Sequence, residues 1–174
     1  FSLDEAGEGQ FGPLWVRGGF PRSLLSRTES ESVSWRRQFV RTFVERDLPQ
    51  IGSSVGTSTI SRFWAMLAHY HGQIWNASEF ARAFGVSEAS VRRYADLLIE
   101  TFVVRRLSPW NENLGKRQVK SPKLYIADTG VLHSLLGIDS RAGLEGHPKV
   151  GASWEGFGIT QVVERLGVSR DECY

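Results

Sequence analysis

The chain has 174 residues, of which 41% are hydrophobic and 23% charged, so its composition is that of a globular protein and excludes disorder over the whole length. The net charge of +2 does not by itself predict a nucleic-acid partner, although a local basic patch can still bind one. A single cysteine, Cys173, excludes a disulfide framework and a zinc site of several cysteines. There is no apolar run of about 18 residues and no signal peptide at the start, so we expect a cytoplasmic protein without a membrane partner.

The chain opens with an acidic, glycine-containing segment over residues 1–10, which predicts a surface segment or a linker. The tetrapeptide Gly-Gly-Phe-Pro at 18–21 then predicts a turn, with the proline at the first position of a helix. No Gly-x-x-x-x-Gly-Lys-Ser/Thr motif is present, so these glycines predict no phosphate-binding loop. Because the sequence begins with Phe1 rather than methionine and has no recognisable stop, we expect a piece of a longer protein.

A helix is predicted over residues 31–48, where large apolar side chains recur at three- to four-residue spacing. Pro49 is predicted to end it. Arg36, Arg37 and Arg41 fall mostly on its other faces, which is typical of a solvated surface with ion pairs. Contact with a phosphate group or a partner protein is the alternative for these arginines.

The next predicted helix covers residues 59–71 and has a broad apolar face. His69 and His71 are two residues apart and would point in different directions, so they are unsuited to sharing one metal ion. We interpret them as surface or interface histidines. Three tryptophans in and around these helices are predicted to lie in the core: Trp35, Trp64 and Trp75.

Residues 78–98 predict two helices joined by a tight turn. Ser78 is predicted to cap the first helix, Gly85 to close it in the left-handed conformation, and Ser87 to begin the second. The apolar side chains of the second helix face the core, at Val91, Tyr94, Leu97 and Leu98. In a helix-turn-helix the second helix presents its N-terminal residues to base edges, and here these are Glu88, Ala89, Ser90, Arg92 and Arg93.

Two strands, at 102–107 and 123–127, are predicted to flank a basic loop and so to form a wing after the helix pair. Between residues 102 and 123 there is one acidic residue, Glu112, against six basic ones: Arg105, Arg106, Lys116, Arg117, Lys120 and Lys123. Trp110 lies in the same loop, where it could anchor a partner protein or stack on a base. The wing is therefore more positive than the chain as a whole.

Asp128 follows the second strand and is predicted to cap a helix that runs through Leu136 and ends at Gly137. Residues 138–149 are predicted to form a loop, and a last helix is predicted over 150–166.

Several separated motifs in this order resemble one known arrangement. It is domain of unknown function 4143, the C-terminal domain that follows a P-loop domain in many bacterial and archaeal AAA-type ATPases. The resemblance runs from about residue 1 to 170 and is carried by Gly18-Gly19-Phe20-Pro21, Glu45-Arg46-Asp47-Leu48, the 87–98 helix, Lys123-Leu-Tyr-Ile-Ala-Asp-Thr-Gly130 and Trp154-Glu155-Gly156-Phe157.

The resemblance implies that ATP and Mg²⁺ serve a parent protein, with no cofactor in this chain. In that family the last portion is similar to the PD-(D/E)xK nuclease fold, and Glu155 matches its helix glutamate. The other catalytic residues would lie beyond Tyr174, and one carboxylate cannot hold Mg²⁺ for hydrolysis. The implied organisation is an exit segment from the ATPase domain at 1–16, a helical lead-in at 17–57, a winged-helix domain at 58–125 and a truncated α/β nuclease-like region at 126–174.

The predicted fold class is therefore α+β and mainly helical, with a winged helix-turn-helix followed by the start of an α/β, restriction-endonuclease-like domain. The predicted function is a non-catalytic, DNA-binding or regulatory module of an AAA-type ATPase. The residues predicted to contact double-stranded DNA are Ser90, Arg92, Arg93, Arg105, Arg106, Lys116, Arg117 and Lys120.

Two alternatives stay open. One is a protein-interaction module that binds another protein or associates with itself, and the other is part of a nuclease in which Glu155 is catalytic. Against DNA binding, three acidic residues lie near the predicted reading helix: Glu88, Asp96 and Glu100.

Overall fold

A computed structural model describes residues 1–51, 54–109 and 121–167. The chain is mainly helical, and in the described ranges its strands form a two-stranded antiparallel sheet, which confirms the predicted α+β, mainly helical class. The helices are α1 (Leu3–Ala6), α2 (Phe11–Arg17), α3 (Pro21–Leu24), α4 (Glu29–Thr42), α5 (Leu48–Gln50), α6 (Thr57–His69), α7 (Ala77–Phe84), α8 (Glu88–Glu100), α9 (Thr129–Leu135), α10 (Arg141–Glu145) and α11 (Val150–Leu166).

The first ten residues are helical rather than a linker. Ser2 and Glu5 form a capping box that begins α1, and a 3₁₀ turn (Glu8–Gln10) leads into α2. The Leu3 amide donates to Gln161 Oε1 at 2.7 Å, so α1 is held against α11. The predicted surface position is confirmed, since none of the described side chains of this segment is buried. The linker alternative was wrong because the capping residues outweigh the glycines.

The helix predicted over 31–48 begins earlier, at Glu29, because Thr28 accepts the Glu31 amide at 3.2 Å in a capping box. It continues through a π-helical turn (Phe43–Asp47) into α5, past Pro49. The wider π turn disturbs the regular pattern of backbone hydrogen bonds, which accommodates a proline without an N–H. Pro49 therefore does not end the helix at residue 48.

The two strands, β1 (Val104–Leu107) and β2 (Lys123–Ile126), pair with Val104 opposite Ile126 and Leu107 opposite Lys123. β1 starts two residues later than predicted, because Phe102 has a φ of +64° and is 63% exposed. The backbone thus turns at Phe102 and becomes extended only at Val104. Residues 110–120 of the connection between the strands lie outside the described residues, and they include Trp110, Lys116, Arg117 and Lys120. Cys173 lies outside them as well.

The principal core lies between α6, α7, α8, the sheet and α9. Phe63 and Trp64 of α6 are completely buried in it, and Trp75 is 7% exposed, as predicted, whereas Trp35 is only half-buried. Val131 and Leu132 of α9 belong to the same core as α8. The predicted domain boundaries at residues 57 and 125 stay predictions, and the principal core takes residues from both sides of each.

The backbone after α9 can be compared with two predictions, a helix end at Gly137 and a loop over residues 138–149. Gly137 follows α9 with a φ of +71°, as predicted for a residue that ends a helix. The predicted loop 138–149 contains α10, which Ser140 caps by accepting the Gly143 amide at 3.1 Å.

Candidate nucleic-acid interface

Three residues define both ends of α7, the start of α8 and the tight turn between these helices. Asn76, not Ser78 as predicted, caps α7, and its Oδ1 accepts the amides of Ser78 and Glu79 at 3.2 and 3.3 Å. Gly85 ends α7 in the left-handed conformation with a φ of +65°, and Ser87 caps α8 by accepting the Ser90 amide at 3.2 Å. The two helices predicted from the sequence are therefore present, with one cap displaced by two residues.

The buried side of α8 decides which of its residues face outward. Val91 and Leu98 are fully buried, and Tyr94 and Ala95 are nearly so. The opposite face carries the exposed side chains near the N-terminal end of the helix: Glu88, Ala89, Arg92 and Arg93. Ser90 is half-buried, and its hydroxyl lies 3.1 Å from that of Ser87.

Most of the positive charge on this face is already paired. Arg92 donates to Glu88 at 3.4 Å along the helix, and Arg106 of β1 donates to the Asp96 carboxylate. Arg93 lies with its guanidinium 6.0 Å from the ring centroid of Tyr94. Among the described residues no carboxylate pairs with Arg93, so it is the arginine on this face best placed to meet a phosphate.

Arg105 is not available for the phosphate contact predicted for it. It is 7% exposed, and its Nη1 donates to the Thr160 hydroxyl of α11 at 3.0 Å. Because side chains alternate across a strand, Arg106 points to solvent while Arg105 points beneath α11. Arg105 therefore joins the sheet to α11 instead of lying on the surface of the hairpin.

Two arginines that the sequence reasoning missed lie on the helices before α8. Arg62 of α6 is exposed and stacks 5.1 Å above the ring of Phe84, at the end of α7. Arg82 of α7 is exposed beside a shallow groove that Glu88 also lines. Their position opposite the apolar stripe of each helix was the signal that could have identified both.

Glu155, the residue considered for catalysis, lies on α11 against the sheet. Its Oε1 accepts the Tyr125 hydroxyl at 2.7 Å and the Lys123 ammonium at 2.9 Å. Partial burial alone would raise the pKa of the Glu155 carboxyl, but these two hydrogen bonds outweigh it and lower that pKa. Burial, together with the hydrogen bond to the Glu155 carboxylate, raises the pKa of the Tyr125 hydroxyl. Across the described ranges no group of three or more His, Cys, Asp or Glu side chains could hold a metal ion.

A second polar cluster lies between α2, α4 and α9. Asp128 caps α9 as predicted, accepting the Val131 amide at 2.8 Å, and it also accepts the Gly19 amide at 2.7 Å. Burial raises the pKa of the Asp128 carboxyl despite these bonds. A Cβ at Gly18 would lie 2.2 Å from Asp128 Oδ1, so the first glycine of the predicted Gly-Gly turn is needed where α2 meets the cap of α9.

Arg36 was predicted to face solvent, and this prediction was wrong, because Arg36 is 1% exposed. Its guanidinium donates to the Val16 carbonyl at 3.1 Å and to the Gly130 carbonyl at 3.4 Å, and pairs with Glu29 at 3.3 Å. It thus satisfies carbonyls of α2 and α9 from α4. Arg37 and Arg41 do form exposed ion pairs, with Asp139 at 2.5 Å and with Glu45 at 3.8 Å.

His71 was also placed wrongly at the surface. α6 ends at His69, and the following turn brings His71 beneath β2, where its Nδ1 accepts the Ile126 amide at 2.9 Å. His133 of α9 is buried as well, and it packs against α11 with its Nε2 2.8 Å from the Ser153 hydroxyl. Burial lowers the pKa of each histidine to about 4, so both imidazoles are neutral at neutral pH.

The comparisons with known proteins identify a family without an assigned function. The family model of a domain of unknown function, DUF8612, matches residues 9–142. Uncharacterized proteins of Mycobacterium tuberculosis and Mycobacterium bovis are each 52% identical over 153 residues, which is 88% of this chain and 35% of each relative. The chain therefore spans about a third of the length of the curated relatives it matches. No solved structure matches.

These matches correct the resemblance proposed from the sequence motifs. The family model that matches is DUF8612 and not domain of unknown function 4143, and neither mycobacterial relative carries a name that refers to an ATPase. The expectation of ATP and Mg²⁺ in a parent protein depended on that resemblance and loses its support. Among the described helices, none is both long enough and apolar enough to cross a membrane. The chain belongs to the DUF8612 family.

Proposed function

We propose that this chain is a winged-helix module that binds duplex DNA through the sugar-phosphate backbone. The observation that carries the proposal is the order of elements from α7 to β2. Two helices joined at a tight turn are followed directly by an antiparallel hairpin, and the N-terminal part of the second helix is exposed. In helix-turn-helix proteins this part of the second helix enters the major groove.

The charges on α8 favour backbone contact over reading of base edges. Direct readout needs unpaired donors such as an arginine fork aimed at guanine. Here Arg92 is paired with Glu88, and Arg106 with Asp96, which leaves Arg93 as the unpaired cation of this face among the described residues. We therefore expect little discrimination between DNA sequences.

Besides Arg62 and Arg82 on the helices before α8, further positive charge belongs to the segment that connects β1 and β2. It carries Lys116, Arg117 and Lys120 against Glu112. With Arg93, these residues supply about four phosphate contacts, which corresponds to a slope of log K against log salt of roughly −3.6. Affinity should then fall about 100-fold between 50 and 200 mM salt.

The test is fluorescence anisotropy of a labelled duplex over a series of salt concentrations, with the wild-type chain and the double variant Lys116→Glu/Arg117→Glu. We expect salt-sensitive binding that the variant loses. The matched control is Arg22→Glu/Arg27→Glu, which makes the same change in net charge at exposed residues beside α3. Salt-insensitive binding, or equal loss in both double variants, would show that the hairpin loop is not the contact.

A second candidate function, a protein-interaction module, has its own observation. Phe11 of α2 and Trp154 of α11 are 39% and 45% exposed, and their ring centroids are 5.3 Å apart. Such an exposed aromatic pair is typical of an interface rather than of a free surface.

A further inference from the structure

α11 is fixed to the rest of the chain along one side. On that side Ser153 accepts from Trp15 Nε1 at 3.1 Å, Phe157 is 3% exposed, and Thr160 accepts from Arg105. Gly156 packs so closely that a Cβ there would lie 2.5 Å from His71 Nε2. This face of the helix is therefore covered.

The other side carries an apolar ridge, which consists of Trp154, Gly158, Val162 and Leu166. These residues are spaced four apart, so they follow one another along the helix surface. Trp154, Val162 and Leu166 are 45%, 56% and 66% exposed. Large exposed apolar side chains that adjoin one another on one helix face indicate an interaction surface, whereas single apolar side chains scattered over a surface do not.

The ridge is complementary to itself. In an antiparallel pairing about a two-fold axis at residue 160, each residue i meets residue 320 − i of the other copy. Trp154 then faces Leu166, and Val162 faces Gly158, where the absence of a side chain leaves room for it. We propose that a second copy of this chain covers the apolar ridge in a symmetric, antiparallel α11–α11 contact.

The charges beside the ridge support the same register. The pairing that joins Trp154 to Leu166 also joins Glu155 to Arg165, on both sides of the axis. Each of these residues has a partner within its own copy, Lys123 at 2.9 Å and Asp4 at 2.6 Å. Both ion pairs are exposed, so their charges remain close enough to solvent to face a second chain.

The size of the surface predicts a weak dimer. α11 has 17 residues and is therefore about 25 Å long. A ridge of this length, even with Phe11 beside it, offers less than the roughly 800 Å² per partner of a standard interface. We therefore expect dissociation in the micromolar range and not a permanent dimer.

The first experiment is sedimentation equilibrium of the chain at concentrations up to about 100 µM, a range that covers the affinity of a small interface. The wild type should show a monomer–dimer equilibrium. Val162→Asp should weaken it at least about tenfold, because it buries a charge at the centre of the contact. Leu25→Asp is the matched control, since Leu25 is 69% exposed elsewhere on the surface, and it should dimerise as the wild type does.

The second experiment tests the register. Arg165→Glu and Glu155→Arg should each weaken self-association by placing like charges opposite each other. An equimolar mixture should restore it, because both cross-chain pairs are again of opposite charge. Circular dichroism checks that each variant is folded, since Glu155 also bonds Tyr125. A monomeric wild type at the highest concentration would assign the ridge to a different protein or to another part of a longer polypeptide. A monomeric wild type would therefore overturn the proposal. So would a dimer that Val162→Asp leaves unaffected, or a mixture of the two charge variants that associates no more tightly than either variant alone.

Discussion

Two buried histidines should make the stability of this protein depend on pH. His71 and His133 are 1% and 0% exposed, and each uses its Nδ1 to bond the backbone, of Ile126 and of Val16. Burial lowers the pKa of each to about 4, against an ordinary value of 6.5. Between pH 6.5 and 4, therefore, each of the two histidines binds a proton in the unfolded chain but stays neutral in the folded chain.

The sign and the size follow from proton linkage. A depressed pKa in the folded state makes the free energy of unfolding fall as the pH falls through that window. For one histidine with these pKa values, the loss between pH 8 and pH 5 is about 2 kcal/mol. The pair together should lose about 4 kcal/mol, a large part of the roughly 5–15 kcal/mol that stabilises an ordinary domain. Asp128 acts in the opposite direction, because burial raises the pKa of its carboxyl.

The assay is urea unfolding at pH 8 and pH 5, followed by tryptophan fluorescence, for the wild type and for His71→Asn and His133→Asn. Asparagine can accept the Ile126 amide or donate to the Val16 carbonyl without titrating. Each variant should reduce the difference between the two pH values by about 2 kcal/mol, whatever it costs at pH 8. His69→Asn is the matched control, on the exposed end of α6. If both buried-site variants keep the wild-type difference, these imidazoles do not carry the pH dependence.

Three further predictions concern packing and capping. Gly130→Ala should unfold the chain or lower its melting temperature sharply, because the added Cβ would lie 2.0 Å from the Arg17 carbonyl oxygen, a backbone atom. Ser87→Ala should cost about 1 kcal/mol in chemical denaturation by removing the acceptor of the Ser90 amide, whereas Ser87→Asp should cost little because aspartate also caps. Leu98→Ala should cost about 2–5 kcal/mol in the same assay, since Leu98 is fully buried on the core-facing side of α8, and a loss below 1 kcal/mol would mean that the site collapses around the smaller side chain.

The sequence predicted the elements that local chemistry determines. Gly85 and Gly137 take the positive φ expected of residues that end helices, and Ser87 and Asp128 cap the helices that they were predicted to cap. The strand pair followed from its β-branched and aromatic residues. Each of these signals acts within about four residues, so tertiary contacts are not needed to read it.

The sequence did not predict where polar side chains are buried. Arg36 bonds a carbonyl 20 residues away and His133 one that is 117 residues away, so nothing in the surrounding sequence signals either bond. Arg105 was grouped with the basic wing because its neighbours are basic, although strand alternation places it beneath α11. A polar residue is assigned to the surface by default, and that default fails where a helix end or a strand needs a buried hydrogen-bond partner.

The opposite orientations of Arg105 and Arg106 explain how the proposed DNA surface and the α11 ridge can coexist. Arg105 points away from the proposed DNA-facing side of the hairpin and holds α11, while Arg106 points outward and pairs with Asp96 on α8. Among the described residues of α8 and β1, Arg93 is then the arginine of this face without a carboxylate partner, and α11 is held with its apolar ridge exposed. A two-fold contact through that ridge would bring two weak DNA-binding surfaces into one particle. Their combined affinity for a long duplex would exceed that of one copy, because binding of the first copy places the second at a high effective concentration near the same DNA. Val162→Asp should therefore weaken binding to long DNA while leaving binding to a duplex that fits one copy unchanged.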